Sequence, residues 1–466
     1  MSGKDSGNNR PESGLGVKYE ITGSNGDKVK IRNKGPIITQ PVRVVSRPKL
    51  EGDKKEEKEN KKRARICSKR NIIQGRLFSL LATLGLIKKI DHDYTLTKLE
   101  EMIKIPSIVG NEKELAHYLQ NELDDLGLKT ELHEVQPGRP NIYAKLEGSE
   151  SGKKLDFNGH TDTVPVVPGW THDPFIPMKV DGKIFGLGSN DMKGGISCIL
   201  SMMKAFVDSE HEFKGQLSFS GVIDEEAYGE GAKAMLKTEW SKVDGMVLAE
   251  PNQATKDAPT PLGITGKVLY DIYVKGKAAH GFSPHHGINA VEQAGVILAN
   301  LSKLKIKEAK GFKGNYSTLK IEGGYTVYSV VVPAEARFEV NRLIVPGETV
   351  ESVIKDMEEL VASLNLEAEV TVKTKPPLYA SYVMERTEPL VELFDSVYRK
   401  VHGVEPYYGY NSSITDANTF SGEGGIPCIH LGPYAGGSHQ KDEYTLIDSL
   451  PPVTEIFTRM ASEFLS

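Results

Sequence analysis

Residues 155–165 read Leu-Asp-Phe-Asn-Gly-His-Thr-Asp-Thr-Val-Pro. A short apolar run, Leu155–Phe157, feeds a loop that carries His160 and Asp162. The same device returns along the chain. Leu217–Val222 is followed by Asp224-Glu225-Glu226, and Gly245–Leu248 by Ala249-Glu250-Pro251. Gly186-Leu-Gly-Ser-Asn-Asp191-Met-Lys-Gly-Gly195 presents another carboxylate just ahead of a helical pattern over Gly194–Phe206. Cys428–Leu431 is a further apolar run, and Gly437-Ser-His439-Gln-Lys-Asp-Glu443 comes shortly after it. Short apolar runs bounded by turns, alternating with helical segments, predict an α/β layer with a mixed, largely parallel sheet flanked by helices. Loops at the carboxyl ends of parallel strands are where open α/β sheets place their sites.

Upstream, Leu96–Ile103 and Lys113–Leu126 repeat apolar residues at three and four, which predicts helices. Downstream, residues 266–375 break the alternation. Lys267–Lys275, Tyr316–Ile321, Ser329–Arg342 and Glu367–Lys373 read as strands, and Asn289–Leu304 and Val350–Leu364 as helices. The order β-α-β-β-α-β predicts an inserted α+β sandwich of the ferredoxin-like kind.

The N-terminal region differs in composition. Residues 1–76 hold 20 Lys and Arg against 9 Asp and Glu, a net of +11, while the rest of the 466-residue chain carries a net of −16. Such a region builds a core poorly, so residues 1–75 are expected to be a basic, disordered extension. Val17–Thr22 and Ile37–Val45 have weak strand character, and Lys54–Arg65 reads as a solvated linker or a short exposed helix. Contact of this basic tail with nucleic acid is the lesser reading. Arg76–Ile90 is apolar at helical spacing and is expected to dock on the body. Three cysteines, Cys67, Cys198 and Cys428, make no disulfide framework and no C-x-x-C pair. No apolar run reaches the ~18 residues of a membrane span. A cytoplasmic protein is expected.

A lone His or Glu in a loop is ordinarily surface decoration. The glycines around Leu187 are not followed by Gly-Lys-Ser/Thr, which removes a phosphate loop. Coincidence defeats the bland reading of the rest. Two histidines and several carboxylates fall on neighbouring strand ends, where like charges repel unless a cation holds them. Imidazole and carboxylate donors without a thiolate suit Zn²⁺ or a similar divalent ion.

The set His-x-Asp, Asp-Met-Lys-Gly-Gly, Asp-Glu-Glu and Ala-Glu-Pro, in this order, resembles the zinc-dependent family of acetylornithine deacetylase, succinyl-diaminopimelate desuccinylase, aminoacylase and glutamate carboxypeptidase. The resemblance covers residues 94–466 and implies the zinc exopeptidase type of fold. It implies two divalent ions per chain, Zn²⁺ first, with Co²⁺ or Mn²⁺ as substitutes. His160 and Glu250 would bind one, Glu226 and His439 the other, and Asp191 would bridge both. Asp162 would take the other N–H of the His160 ring, and Glu225 would be the general base. The peptide after Asp191 would be cis.

The resemblance also implies the domain plan: 76–265 and 376–466 as two parts of a catalytic domain, and 266–375 as a lid and dimerisation domain. Ala279-His280-Gly-Phe-Ser-Pro284-His-His-Gly287-Ile-Asn289-Ala290 is similar to the lid pattern of the family. His280 would steady the oxyanion, in a homodimer within the partner's site, and Asn289 would sit at the substrate or merely cap the next helix. Arg342 would pair with a substrate carboxylate, although Asn341 directly precedes it where the family spacing differs. Ser413-Ile-Thr415-Asp416-Ala417 departs from the family's Gly-Gly-Thr-Asp-Ala in a loop that lines the substrate pocket. The expected activity is hydrolysis of an amide in an N-acyl amino acid, with a metallo-dipeptidase or carboxypeptidase acting on short peptides as the alternative. A catalytically silent binding protein should have lost Glu225 or a ligand, and the full set is present.

Overall fold

The computed structural model describes residues 81–466, apart from 210 and 328, together with two short antiparallel strands, Ile21–Thr22 and Lys28–Val29. The expectations for residues 37–45 and 54–65, and for disorder over the rest of 1–75, lie outside the described residues. Of the stretch 76–90, residues 81–87 are helical. Leu86 there joins the main core, and the Thr83 hydroxyl meets the Ser462 hydroxyl at 2.8 Å.

A six-stranded sheet organises the body. Its order is Cys428–His430, Gly245–Leu248, Glu150–His160, Lys214–Val222, Arg139–Glu147 and Lys129–Gln136. The first four strands are mutually parallel, and the last two add on antiparallel. The sheet is therefore mixed and largely parallel. The antiparallel edge pair is an addition to the sequence reading. Lys129–Gln136 is largely polar, and Asn141 interrupts the buried stretch of Arg139–Glu147, so no clean apolar run announces either strand.

Helices His92–Ile103, Lys113–Asp125, Gly194–Ser209, Pro389–His402 and Leu450–Phe464 bring apolar residues to the same core. Asp91 caps the first, its carboxylate accepting the Tyr94 N–H at 2.9 Å. Helices Gly194–Ser209 and Leu450–Phe464 are buried over most of their length.

The central strand Glu150–His160 hides polar groups between its apolar ones. Leu155 and Phe157 are fully buried, and so is Asp156 between them. The Asp156 carboxylate accepts hydrogen bonds from Ser218 at 2.6 Å and Ser220 at 2.5 Å on the neighbouring strand. A parallel strand covered on both faces must satisfy every polar group internally, and these hydroxyls do so.

Residues 266–379 form a second sheet and a second core. The strands order as Asn315–Gly323, Glu335–Ile344, Gly266–Lys275 and Glu369–Tyr379, all antiparallel. Helices Ala290–Ala299 and Val350–Ser363 cover one face, over Tyr270, Ile272, Phe338, Val340 and Met357. Numbered along the chain this sheet runs 2-3-1-4, the ferredoxin-like order. The third strand begins at Glu335, not near Ser329. Pro333 lacks the N–H a ladder needs, and the residues before it make only an isolated bridge from Val331 to His280.

Candidate metal centre

Register brings the strand ends together. His160 pairs with Val222, and both Asn158 and His430 pair with Leu248. The loops that leave Val222 and Leu248 therefore open beside His160, carrying Glu225, Glu226 and Glu250.

His160 is buried, and its Nδ1 lies 2.9 Å from the main-chain oxygen of Asp162. A carbonyl only accepts, so Nδ1 carries the proton and Nε2 faces inward as a ligand. Nε2 stands 3.0 Å from Asp191 Oδ1. The expected use of the Asp162 carboxylate is corrected here. It lies 3.7 Å from Nδ1 and accepts instead the N–H groups of Glu225 at 3.2 Å and Glu226 at 3.0 Å. Asp162 thus orients His160 through its main chain and the acidic loop through its side chain. The adjacent extended loop lets one residue reach both.

Asp191 presents its two oxygens to two histidines. Oδ2 is 3.6 Å from His439 Nε2, and His439 Nε2 is 2.8 Å from Glu226 Oε1. Ligand atoms of His160, Asp191 and Glu226 lie within 4.8 Å of one another. Glu250 lies near enough for its charge to act on Glu225 and for the Asp191 charge to act on it.

The electrostatics describe a site short of positive charge. Lost hydration pushes Glu225 well above the usual carboxylate range, and Glu250 up to about 8, with Asp191 adding to the latter. Burial opposes ionisation of Asp191, but the two imidazoles outweigh it and hold Asp191 low. The Asp191 and Glu226 carboxylates push His439 up to about 10. Acceptors facing acceptors need a proton or a cation between them. Two ligand atoms ~2.1 Å from one tetrahedral ion stand about 3.4 Å apart. The contacts at 2.8, 3.0 and 3.6 Å bracket that spacing. The donor set and its spacing fit divalent ions.

The loop that carries Asp191 is held from outside. Buried Glu443 accepts the N–H groups of Gly188 at 3.2 Å, Asn190 at 2.9 Å and Asp191 at 3.0 Å. Buried Lys193 donates to the main-chain oxygens of Met102 and Ile105 at 3.0 and 2.9 Å. The Asp191–Met192 peptide is cis. A Cβ on Gly195 would meet the Ala249 oxygen at 2.0 Å, so glycine lets this helix start against the Glu250 loop. Asp224 pairs with Arg139 at 2.7 Å, and Arg139 also grips Glu112. That ties the acidic loop to a distant helix start. Sequence reading found no role for Glu443, Arg139 or Glu112. Only Glu443 had a local signal, being four residues after His439.

Three expected residues stand apart. Arg342 is buried in the inserted unit, where its guanidinium meets Glu348 at 2.9 Å and the oxygens of Lys305, Asn315 and Leu343. Its fork is spent inside the fold, which corrects the expected pairing with a substrate carboxylate. Asn289 caps the helix Ala290–Ala299, accepting the N–H groups of Val291 and Glu292. That is its capping reading, and it replaces a place at the substrate. His280 is exposed, its Nδ1 accepting the Phe282 N–H at 3.2 Å, and its described neighbours Phe282 and Val331 lie outside the cluster.

The sequence model described as peptidase family M20/M25/M40 matches residues 157–463. A succinyl-diaminopimelate desuccinylase of Orientia tsutsugamushi (strain Boryong) is 27% identical over 385 residues, covering 79% of this chain and 95% of that protein. Among solved structures, the aminopeptidase PepT from Bacillus cereus aligns with a TM-score of 0.67 at 19% identity, over 81% of this chain and 100% of that one. A dinuclear metal-binding peptidase of the M20 family from Bacillus subtilis aligns with a TM-score of 0.61 at 17% identity, over 80% and 98%. These two are likenesses of fold.

Proposed function

Because the chain belongs to peptidase family M20/M25/M40, we propose that it is a dinuclear zinc hydrolase cleaving the amide of an N-acyl amino acid. The observation that carries this reading is Asp191, with one oxygen on His160 and the other toward His439, beside the acidic pair Glu225 and Glu226. Divalent ions held there would supply an acidified water and a Lewis acid for the amide carbonyl. His160, Glu250 and Asp191 would hold one ion, and Glu226, His439 and Asp191 the other.

Glu225 takes the proton from the attacking water as the new C–O bond forms. It gives that proton to the amide nitrogen as the C–N bond breaks, leaving a carboxylate and an amine. Asp162 fixes the approach by holding the Glu225 and Glu226 main chain at 3.2 and 3.0 Å. Peptidase action on short peptides is the second reading, supported by the fold shared with PepT.

We assign residues 266–375 as a lid through which two copies pair, with His280 of one reaching the site of the other. In support, the edge strand Asn315–Gly323 exposes Leu319 at 57% and Ile321 at 53%, a surface suited to pairing. The two described cysteines, Cys198 and Cys428, are buried and free, in keeping with a reducing cytoplasm.

The test is a substrate panel. Metal-loaded protein is incubated with N-acetyl and N-succinyl amino acids and with dipeptides, and free amine is read. Release from the acyl amino acids is expected. Release from dipeptides alone moves the assignment to peptidase, and release from none overturns both.

A further inference from the structure

The acidic loop Asp224–Gly229 is held mostly by groups of the body. Arg139 holds the Asp224 carboxylate at 2.7 Å, and the Asp162 carboxylate takes the N–H groups of Glu225 and Glu226. Within the loop, the Asp224 main-chain oxygen accepts Ala227 N–H at 3.2 Å and Gly229 N–H at 2.7 Å. One further grip comes from the inserted unit. Tyr379 ends its last strand, Glu369–Tyr379, and donates its hydroxyl to the main-chain oxygen of Ala227 at 3.3 Å. Ala227 directly follows the pair Glu225 and Glu226. Among the described residues, Tyr379 is the one side chain of 266–379 with a hydrogen bond to this loop.

Other contacts keep the ring there. Tyr379 is 4% exposed. A Cβ on Gly229 would stand 3.2 Å from its Cε1, so the ring packs against the end of the loop. The Lys233 ammonium lies 5.3 Å from the ring centre, and it donates to the Tyr228 oxygen at 2.6 Å. Burial, and then the charges of Asp416 and Glu225, drive the hydroxyl upward, so it keeps its proton and donates. The crossings are fixed as well. Asn418 donates to the oxygens of Thr265 at 2.9 Å and Ala380 at 2.7 Å, the residues that flank the inserted unit. One amide thus staples both crossings, and Tyr379 stands next to the second. A rotation of the inserted unit about them carries Tyr379 along, and the pull falls on Ala227.

We propose that Tyr379 is a positioning residue for Glu225, tying the loop of the general base to the inserted unit, so that the stance of that unit sets how the base meets the attacking water. The inference rests on the hydrolase reading above and deepens it. A phenylalanine would fill the same space, so the hydroxyl alone makes the link.

Tyr379→Phe removes that link and keeps the ring. The metal-loaded full chain is assayed with whichever substrate of the panel above it hydrolyses fastest. In Tyr379→Phe, kcat should fall about 3–10-fold, the worth of one hydrogen bond, while KM and metal content stay those of the natural chain. Added to Glu225→Gln, the same change should cost nothing further, because the two residues act as a unit. Amide hydrogen exchange over 224–231 should quicken while the rest of the body keeps its protection. Gly229→Ala, which presses on the ring from the loop side, is the second variant, and it too should lower kcat without adding to Glu225→Gln. An unchanged kcat in Tyr379→Phe, a loss of metal, a further loss in the double variant or unchanged exchange each overturns the proposal and leaves the hydrolase reading intact. Hydrolysis of no substrate by the natural chain overturns both.

Discussion

Glu443 grips the main chain of Asp191: its Oε1 accepts the Asp191 N–H at 3.0 Å, and the same carboxylate takes two more N–H groups of the loop. The residue that both histidines share is therefore aimed by a side chain from 252 positions away. Glu443→Gln turns one acceptor oxygen into a donor facing a donor. Metal affinity should fall on the order of 10–100-fold. Competition with a chromophoric chelator reads this, and unchanged affinity would show the grip to be dispensable.

Metal content and base function separate at the neighbours Glu225 and Glu226. Elemental analysis should approach two ions per chain, and chelation should abolish activity that zinc, cobalt or manganese restores. His160→Ala should lower metal content. Glu225→Gln should keep it and reduce kcat by on the order of 10²–10⁴-fold. Loss of metal from Glu225→Gln would exchange the roles of Glu225 and Glu226.

Arg342 and Glu348 form a buried pair, each almost without exposure. Breaking such a pair by removing one partner costs about 3–5 kcal/mol. Glu348→Ala should lower the unfolding free energy by that measure, read as a lower denaturant midpoint at unchanged m. Arg342→Lys should destabilise while KM stays close to that of the natural chain. A raised KM with unchanged stability would return Arg342 to the substrate.

His280 faces solvent within its own chain. Glu225→Gln and His280→Ala, each inactive alone, should regain activity when their subunits exchange, because one mixed site then holds both natural residues. About half of the natural activity per mixed pair is the order expected of a two-fold assembly. Proven exchange without recovery would place His280 in its own chain's site or outside the reaction.

Asp156 gives a pH dependence. Burial raises its carboxyl from an ordinary 3.8 to about 6, against the Ser218 and Ser220 hydrogen bonds. Between those values the folded chain binds a proton that the unfolded chain does not, so stability falls as pH rises through the window. Above about pH 6 the full penalty applies, on the order of 3 kcal/mol for a shift of this size. Asp156→Asn lacks this term. Its stability relative to the natural chain should improve from pH 4 to pH 7 in urea unfolding, and a constant difference would contradict the shift.

Much of this fold was legible because its signals are local. Leu155–Phe157, Leu217–Val222, Gly245–Leu248 and Cys428–Leu431 are apolar runs that end in turns, and a buried parallel strand requires such a run. The ferredoxin-like order came from the same periodicities. Lys129–Gln136 gives no apolar run because it is an edge strand, and Arg139–Glu147 gives none because its buried stretch mixes Pro140 and Asn141 with Ile142, Tyr143 and Ala144. The strand expected from Ser329 overran, because Pro333 stops the ladder where composition alone continues it.

The order of apolar runs and loops was enough to put two histidines and several carboxylates at neighbouring strand ends, and the family resemblance then chose His160, Asp191, Glu226, Glu250 and His439 among them as candidate ligands. Tertiary structure alone decided what the supporting side chains do. It turned the Asp162 carboxylate toward the acidic loop, closed Arg342 on Glu348, set Glu443 under Asp191 and left Asp416 without a partner. The reason is physical. That a polar loop follows a buried strand is set by strand period and loop position, which are short-range. A buried polar group's partner is whatever donor or acceptor packing brings within ~3 Å, and packing joins residues hundreds of positions apart.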